Sequence, residues 1–427
     1  MNIDIAKVQD KLTELKDDAA PRFLKQGYLF AADMRRKAGL AQDSEKPITF
    51  TMLGKRTTLV RGVDGVRAFY DQDFVNRAGA MPKFISGPLF GAGAVHGLDG
   101  EAHAKRKQAM ASLAYDDERV SVFADLVAEE LDRLVEKWRE REGNVYDDVA
   151  VAYGRAAFRW AGVPLSDEEM EQRAAQMSRL LDTFGNPAQN VVAWIERKRL
   201  DDWAADLITQ VRDGGVQVDA DSVIAHVAAI TDENGALLDP KTAGIELQNL
   251  TRPTVAVSRF AAFAAAELVQ RHDWLERIRA ANSPQSPEAI AFAQEIRRTK
   301  PFVPMLPALA KRDGEVSGCP IHKGQRILID ILGTNTGPTW ERAGAFDPER
   351  FLNVDGEDIE TFIPQGGADV FTGHRCPGEK IAVTALAAAV NTLSRPDVTI
   401  SDDQVDTVFS WTRILTRPET GVRVSAK

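Results

Sequence analysis

Apolar residues recur at intervals of three and four through most of the chain between about Glu101 and Gln270, as in ADLVAEELDRLVEKW, AADLITQVRDGG and AAFAAAELVQ. That spacing places them on one face of a helix, and Gly, Pro, Asn or Asp stand at the breaks. Ahead of this region, after a first helical stretch, residues 48–60 (ITFTMLGKRTTLV) set β-forming side chains on both sides of Gly54-Lys55, the pattern of a hairpin. Strand-like composition returns at 316–332 (VSGCPIHKGQRILIDIL), and a long polar, Gly- and Pro-rich stretch then runs to Gly378, ahead of a helix predicted from about Glu379 to Leu393. Irregular chain of that length inside a compact protein usually carries function. No repeat, low-complexity tract or linker divides the sequence. The expected architecture is mainly α, with residues 1–427 as a single large helical domain carrying small β-sheets.

Composition narrows the function more than the fold. A formal net charge of −10 argues against nucleic acid as a partner, because non-specific binding to phosphates needs basic surface. No apolar run is long enough for a membrane span, and the start (MNIDIAKVQDKLTELKDD) lacks a basic region followed by an apolar stretch, so the expected location is the cytoplasm. Cys319 and Cys376 are the only cysteines, which leaves no disulfide framework and suits a reducing compartment. His226, His272 and His322 have no ligand-spaced partners, so neither zinc nor non-haem iron is expected.

Cys376 lies in FIPQGGADVFTGHRCPGEKIAV (362–383), after a Gly-rich loop and before a helix start. Helix N-terminal amides stabilise a thiolate and lower its pKa. Pro377 suits a first helical turn, and Gly366, Gly367 and Gly373 permit close approach of a flat ligand. Upstream, EIRR puts Glu295 and Arg298 on one helical face, and FDPERF supplies Arg350. Each motif alone is a common surface ion-pair pattern or an ordinary buried cysteine; their order along the chain carries the information.

That order resembles the cytochrome P450 superfamily over residues of about 295 to 394. The resemblance implies the P450 fold, haem b (iron protoporphyrin IX) as cofactor, Cys376 as its axial ligand, and Glu295, Arg298 and Arg350 as a structural ion-pair triad. A thiolate ligand favours O–O cleavage. Cys319, on a strand-like segment, has no such setting. In most of the superfamily the loop carries Phe and Gly where this chain has Asp369 and Thr372. The PQGG…GHRCPGE form resembles instead the fatty-acid peroxygenase branch, bacterial enzymes that use hydrogen peroxide directly and need no redox partner.

The central helix, read as one element over 244–269, supports that branch. Thr251-Arg252-Pro253-Thr254 stands where a monooxygenase has an acid–alcohol pair for relaying protons to dioxygen. Pro253 within a helix costs roughly 3 kcal/mol and calls for a compensating use. Arg252 binds a carboxylate bidentately, which would hold a fatty-acid head group in an apolar pocket; the competing reading is an arginine at a kink, paired with a protein carboxylate. A clamped substrate carboxylate would itself take and return the proton that peroxide cleavage requires.

Residues 84–110 resemble the same branch. His96 takes a position where members that form terminal alkenes tend to carry His and those known for hydroxylation Gln; it either steers product choice or is simply a hydrogen-bonded pocket residue. Leu89, Phe90, Phe302 and Val303 are expected to line the substrate channel. Arg106, Lys107 and His374, rather than His103, are taken as partners of the haem propionates. The expected activity is hydrogen-peroxide-driven oxidation of fatty acids at the α- and β-carbons, giving alkenes by decarboxylation together with hydroxy acids. The alternatives are a hydroxylase with little alkene formation, a reductase-dependent monooxygenase, or a haem sensor or carrier without turnover.

Overall fold

A computed structural model describes residues 18–183, 189–401 and 410–427. Part of the expected first helical stretch, residues 1–17, lies outside them; the rest forms the helices Ala20–Gln26 and Phe30–Lys37. Helices dominate the remainder of the chain, with sheets at the margins, as the apolar periodicity predicts.

The hairpin pairs Ile48–Met52 with Lys55–Val60, Met52 opposite Lys55. Its turn therefore falls on Leu53-Gly54, one residue earlier than expected. Both residues are left-handed (φ 51° and 65°), and the Asp18 carboxylate accepts their amides at 3.0 and 2.8 Å. The hairpin extends into a five-stranded sheet, with Arg326–Asp330 parallel to Lys55–Val60, followed by Met305–Ala310 and the short Val75–Asn76. Strands that come late in the chain are thus tied to its beginning.

The long central helix departs from expectation. It is two helices end to end, Pro240–Ala256 and Ser258–Gln270, nearly all of whose residues are buried. The break at Val257 lies one turn beyond Pro253. There the Val257 amide is shared between Pro253 O (3.2 Å) and Thr254 O (3.1 Å), a tightened turn in place of a regular one. The Asn190–Arg212 and Val145–Trp160 helices pack against this rod, so the polar side chains from Glu246 to Thr251 are buried.

The segment from Thr336 to Gly378 contains only short single-turn elements, Pro348–Phe351 and Gly356–Asp358. Aromatic stacking among Trp340, Phe351 and Phe362 fills its underside. Its backbone is held from the Pro287–Thr299 helix. Arg298 binds Glu295 through two bonds of 2.7 Å and donates to the carbonyls of Asn335, Ala343 and Ala345 at 2.8–3.0 Å. Glu295 also accepts the Asp347 amide at 2.8 Å and lies 3.3 Å from Arg350 Nε. The three residues grouped from the sequence therefore meet at one buried carboxylate.

Glu295→Gln would leave two guanidiniums around an uncharged amide. We expect a loss of about 3–5 kcal/mol in chemical denaturation, the usual penalty for breaking a buried pair from one side.

Candidate active site

Cys376 follows a tightly folded loop. Its amide donates to Gln365 O at 3.1 Å, and Gly366 (φ 97°) passes so close that a Cβ there would lie 2.3 Å from His374 O. The helix begins at Glu379, with Gly378 as its cap, so Pro377 precedes the first helical turn rather than occupying it. The Gly378 amide donates toward the sulfur, yet burial is the larger influence and pushes the thiol's pKa up, with Lys107 opposing. The lowered pKa expected from helix amides alone is thus not what the protein scaffold provides; a cation bound at the sulfur would supply that stabilisation. Cys319 sits apart on the Cys319–Ile321 strand, with its sulfur 3.7 Å from Thr49 Oγ1.

Arg297, unnoticed in the sequence, anchors this loop. It donates to Gln365 Oε1 at 3.0 Å and pairs with Glu379, whose other oxygen takes Arg375 at 3.1 Å. Lys107 closes the arrangement by donating to the Arg375 carbonyl.

A cavity of about 250 Å³ separates the Cys376 sulfur from the opposing wall. Leu89, Phe90, Phe302 and Val303 all line it, as expected, and so do His96, Arg252, Pro253, His103, Lys107 and His374. The His96 ring stacks on Phe90, centroids 4.1 Å apart. It has accessible surface, which it presents to the cavity, but it is packed among protein atoms. Desolvation and then Lys107 and Arg252 push its pKa down to about 3.

Arg252 is 3% exposed. Its Nη2 donates to Asn249 Oδ1 at 2.9 Å and its Nη1 is a buried donor with no acceptor. Among the described residues no carboxylate lies within ion-pair distance of it. Burial first, and then Arg197, pushes its pKa well below the ordinary guanidinium value. Because a guanidinium remains charged in proteins, that shift measures how poorly the charge is solvated. The neighbouring Arg197, by contrast, meets Asp201 at 2.6 Å.

Arg106 does not join the cavity. It turns to Glu246 (3.2 Å) and the Gly93 carbonyl (2.8 Å), leaving His103, one helical turn from Lys107, to face inward beside His374 at a ring-centroid distance of 4.4 Å. The i,i+4 spacing of His103 and Lys107 was the available sign; the buried acid that captures Arg106 comes 140 residues later and was invisible locally.

The cytochrome P450 family model matches residues 276–424. Cytochrome P450SP alpha, solved in complex with (R)-ibuprophen, superposes with a TM-score of 0.86 at 34% identity over 96% of this chain and 98% of that one. The chain belongs to the cytochrome P450 family. A variant of cytochrome P450 OleT, solved in complex with arachidonic acid, gives a TM-score of 0.87 at 29% identity, covering 96% of both chains. The sterol 14alpha-demethylase of Mycolicibacterium vanbaalenii is 23% identical over 81% of this chain and 82% of that protein. The fold of this P450 is the one its sequence resembles, down to the fatty-acid peroxygenase branch.

The family implies haem, and the residues present fit it. Among the described residues no group of His, Cys, Asp or Glu could hold a bare metal ion, so iron at Cys376 requires a ligand that brings its own donors. Gly378 lies beside the sulfur, where a Cβ would come within 4.0 Å of it, and lines the cavity with Gly366 and Cys376, while Lys107, His103 and His374 offer donors at the cavity edge.

His103 gives this P450 a predictable acid sensitivity. Desolvation, then Lys107, pushes the buried imidazole down to about 4. The folded value lies below the unfolded one of about 6.5, so the unfolded chain binds the extra proton and stability is lost as pH falls between those values. Urea denaturation of haem-free protein at stepped pH should show this loss, with a shallower slope in His103→Asn.

Proposed function

We propose that this P450 uses hydrogen peroxide to oxidise fatty acids at the α- and β-carbons, releasing terminal alkenes by decarboxylation along with hydroxy acids. One observation carries the reading: a buried guanidinium at the wall of an apolar cavity, with a donor unsatisfied and, among the described residues, no carboxylate within ion-pair distance. An unsatisfied buried donor costs about 1–3 kcal/mol. A fatty acid repays that cost by supplying the missing acceptor at its head and apolar surface along its tail. The ligands named for the two similar solved structures, arachidonic acid and ibuprophen, are both carboxylic acids.

Arg252 binds the carboxylate, Asn249 keeps the guanidinium in place, and Leu89, Phe90 and Phe302 exclude water from the tail. Bound through Cys376, haem supplies the redox centre where the peroxide O–O bond is cleaved. The clamped carboxylate oxygen holds the proton that this cleavage moves, replacing the acid that the Thr251–Thr254 stretch lacks. The overall change balances as a fatty acid plus hydrogen peroxide giving a one-carbon-shorter alkene, carbon dioxide and two waters; hydroxylation gives the hydroxy acid and one water. No reductase partner is needed in either case. Lys107, His103 and His374 hold the haem edge on this reading, and Glu295, Arg298 and Arg350 keep the cysteine segment in place.

A second reading, hydroxylation with little alkene, draws support from His96, whose ring is stacked on Phe90 and whose lowered pKa makes it a weaker proton acceptor than a free imidazole.

Purified enzyme incubated with a mid-chain fatty acid and peroxide should yield alkene and hydroxy acid by mass spectrometry; absence of any oxidised product would sink the proposal. Arg252→Ala should weaken fatty-acid binding by roughly 10- to 100-fold and abolish turnover. Adding a short carboxylate with a non-acid substrate should still support oxidation. In His96→Gln the alkene fraction should fall, and an unchanged ratio would remove His96 from product choice.

A further inference from the structure

Glu246, Asn249 and Arg252 stand three residues apart along one face of the Pro240–Ala256 helix, and all are buried. The Glu246 carboxylate is fully used. Oε1 accepts the Val95 amide at 2.8 Å and Arg106 Nη1 at 3.2 Å, while Oε2 accepts Asn249 Nδ2 at 3.0 Å. An asparagine amide can present either its oxygen or its nitrogen, and its neighbours decide which. With Nδ2 committed to Glu246, Asn249 has only Oδ1 to offer Arg252, and Nη2 donates to it at 2.9 Å. A flipped Asn249 would set two donors against each other.

We propose that Glu246 is a positioning residue for the carboxylate clamp: through Asn249 it fixes the Nη2 edge of Arg252, leaving the other guanidinium donors for an anion, while its second oxygen ties down the loop carrying His96. The proposal rests on reading Arg252 as that clamp. Charge is essential to it, because only a carboxylate accepts at both oxygens. A glutamine must turn its amide nitrogen either toward Asn249 or toward Val95 and Arg106, and every one of those atoms is itself a donor.

The test measures binding to the haem-loaded enzyme by isothermal titration calorimetry, using a mid-chain fatty acid and the fatty alcohol of the same length. Glu246→Gln should weaken the acid about tenfold and leave the alcohol unchanged. Asn249→Ala should act similarly, and the double variant should be no weaker than Asn249→Ala alone, since both changes act through one link. Equal weakening of acid and alcohol would show a merely structural role and overturn the proposal. Wild-type acid affinity in Glu246→Gln, with affinity lost in Arg252→Ala, would overturn it while leaving the clamp intact. Unchanged affinity in Arg252→Ala would remove the clamp itself. Should circular dichroism show Glu246→Gln unfolded, Asn249→Ala, which keeps the Glu246–Arg106 pair, carries the test: wild-type acid affinity there overturns the proposal.

Discussion

The carboxylate of Glu295 is the point on which the lower half of the molecule hangs. Irregular chain carries backbone groups that no helix or sheet satisfies, and buried ones must find partners. Arg298, oriented by Glu295, offers its planar fork to the Asn335 carbonyl at the end of a short helix and to the Ala343 and Ala345 carbonyls of the irregular segment that follows. Its neighbour Arg297 points the other way, to Gln365 and Glu379 around the cysteine loop. A single helical turn therefore fixes both the approach to Cys376 and the loop itself. The sulfur can be placed accurately on irregular chain because the placing is done by a rigid helix.

The buried arginines around the far side of the cavity obey a different logic. Arg106 has Glu246 and Arg197 has Asp201, so charge burial there is mostly settled within the protein. Arg252, nearby, has no carboxylate within ion-pair distance among the described residues, and its Nη1 has no acceptor. Folding alone gains nothing from that arrangement; on the proposed reading, stability is sacrificed at the position where a ligand is to be held. Pro253 adds to the sacrifice by removing a helical bond, and the helix duly breaks one turn later.

Much of this was legible because it is local. The hairpin, the helix at Glu379–Leu393, the Glu295–Arg298 spacing and the Arg252-Pro253 pair can be recognised within a few residues. What escaped notice depends on partners distant in sequence. Arg106 looks like Lys107 until Glu246 is brought beside it, and Arg297 looks like a surface neighbour of Arg298 until Glu379 closes on it. The depressed His96 and the raised Cys376 likewise come from enclosure, which no spacing encodes. Glu246 itself reads as any acid on a helix, though it is among the most deeply buried groups in the protein.

The unsatisfied guanidinium at the cavity wall has a geometric corollary. On the proposed reading it acts as the zero mark of a ruler, from which carbons are counted outward along the substrate. The position attacked is then set at the head, and the tail, lying against Leu89, Leu181 and Phe302, has no vote in it. Substrates of different length should accordingly differ in how tightly they are held but not in where they are oxidised, and enlarging the tail channel should broaden the range of acids accepted without blurring regiochemistry.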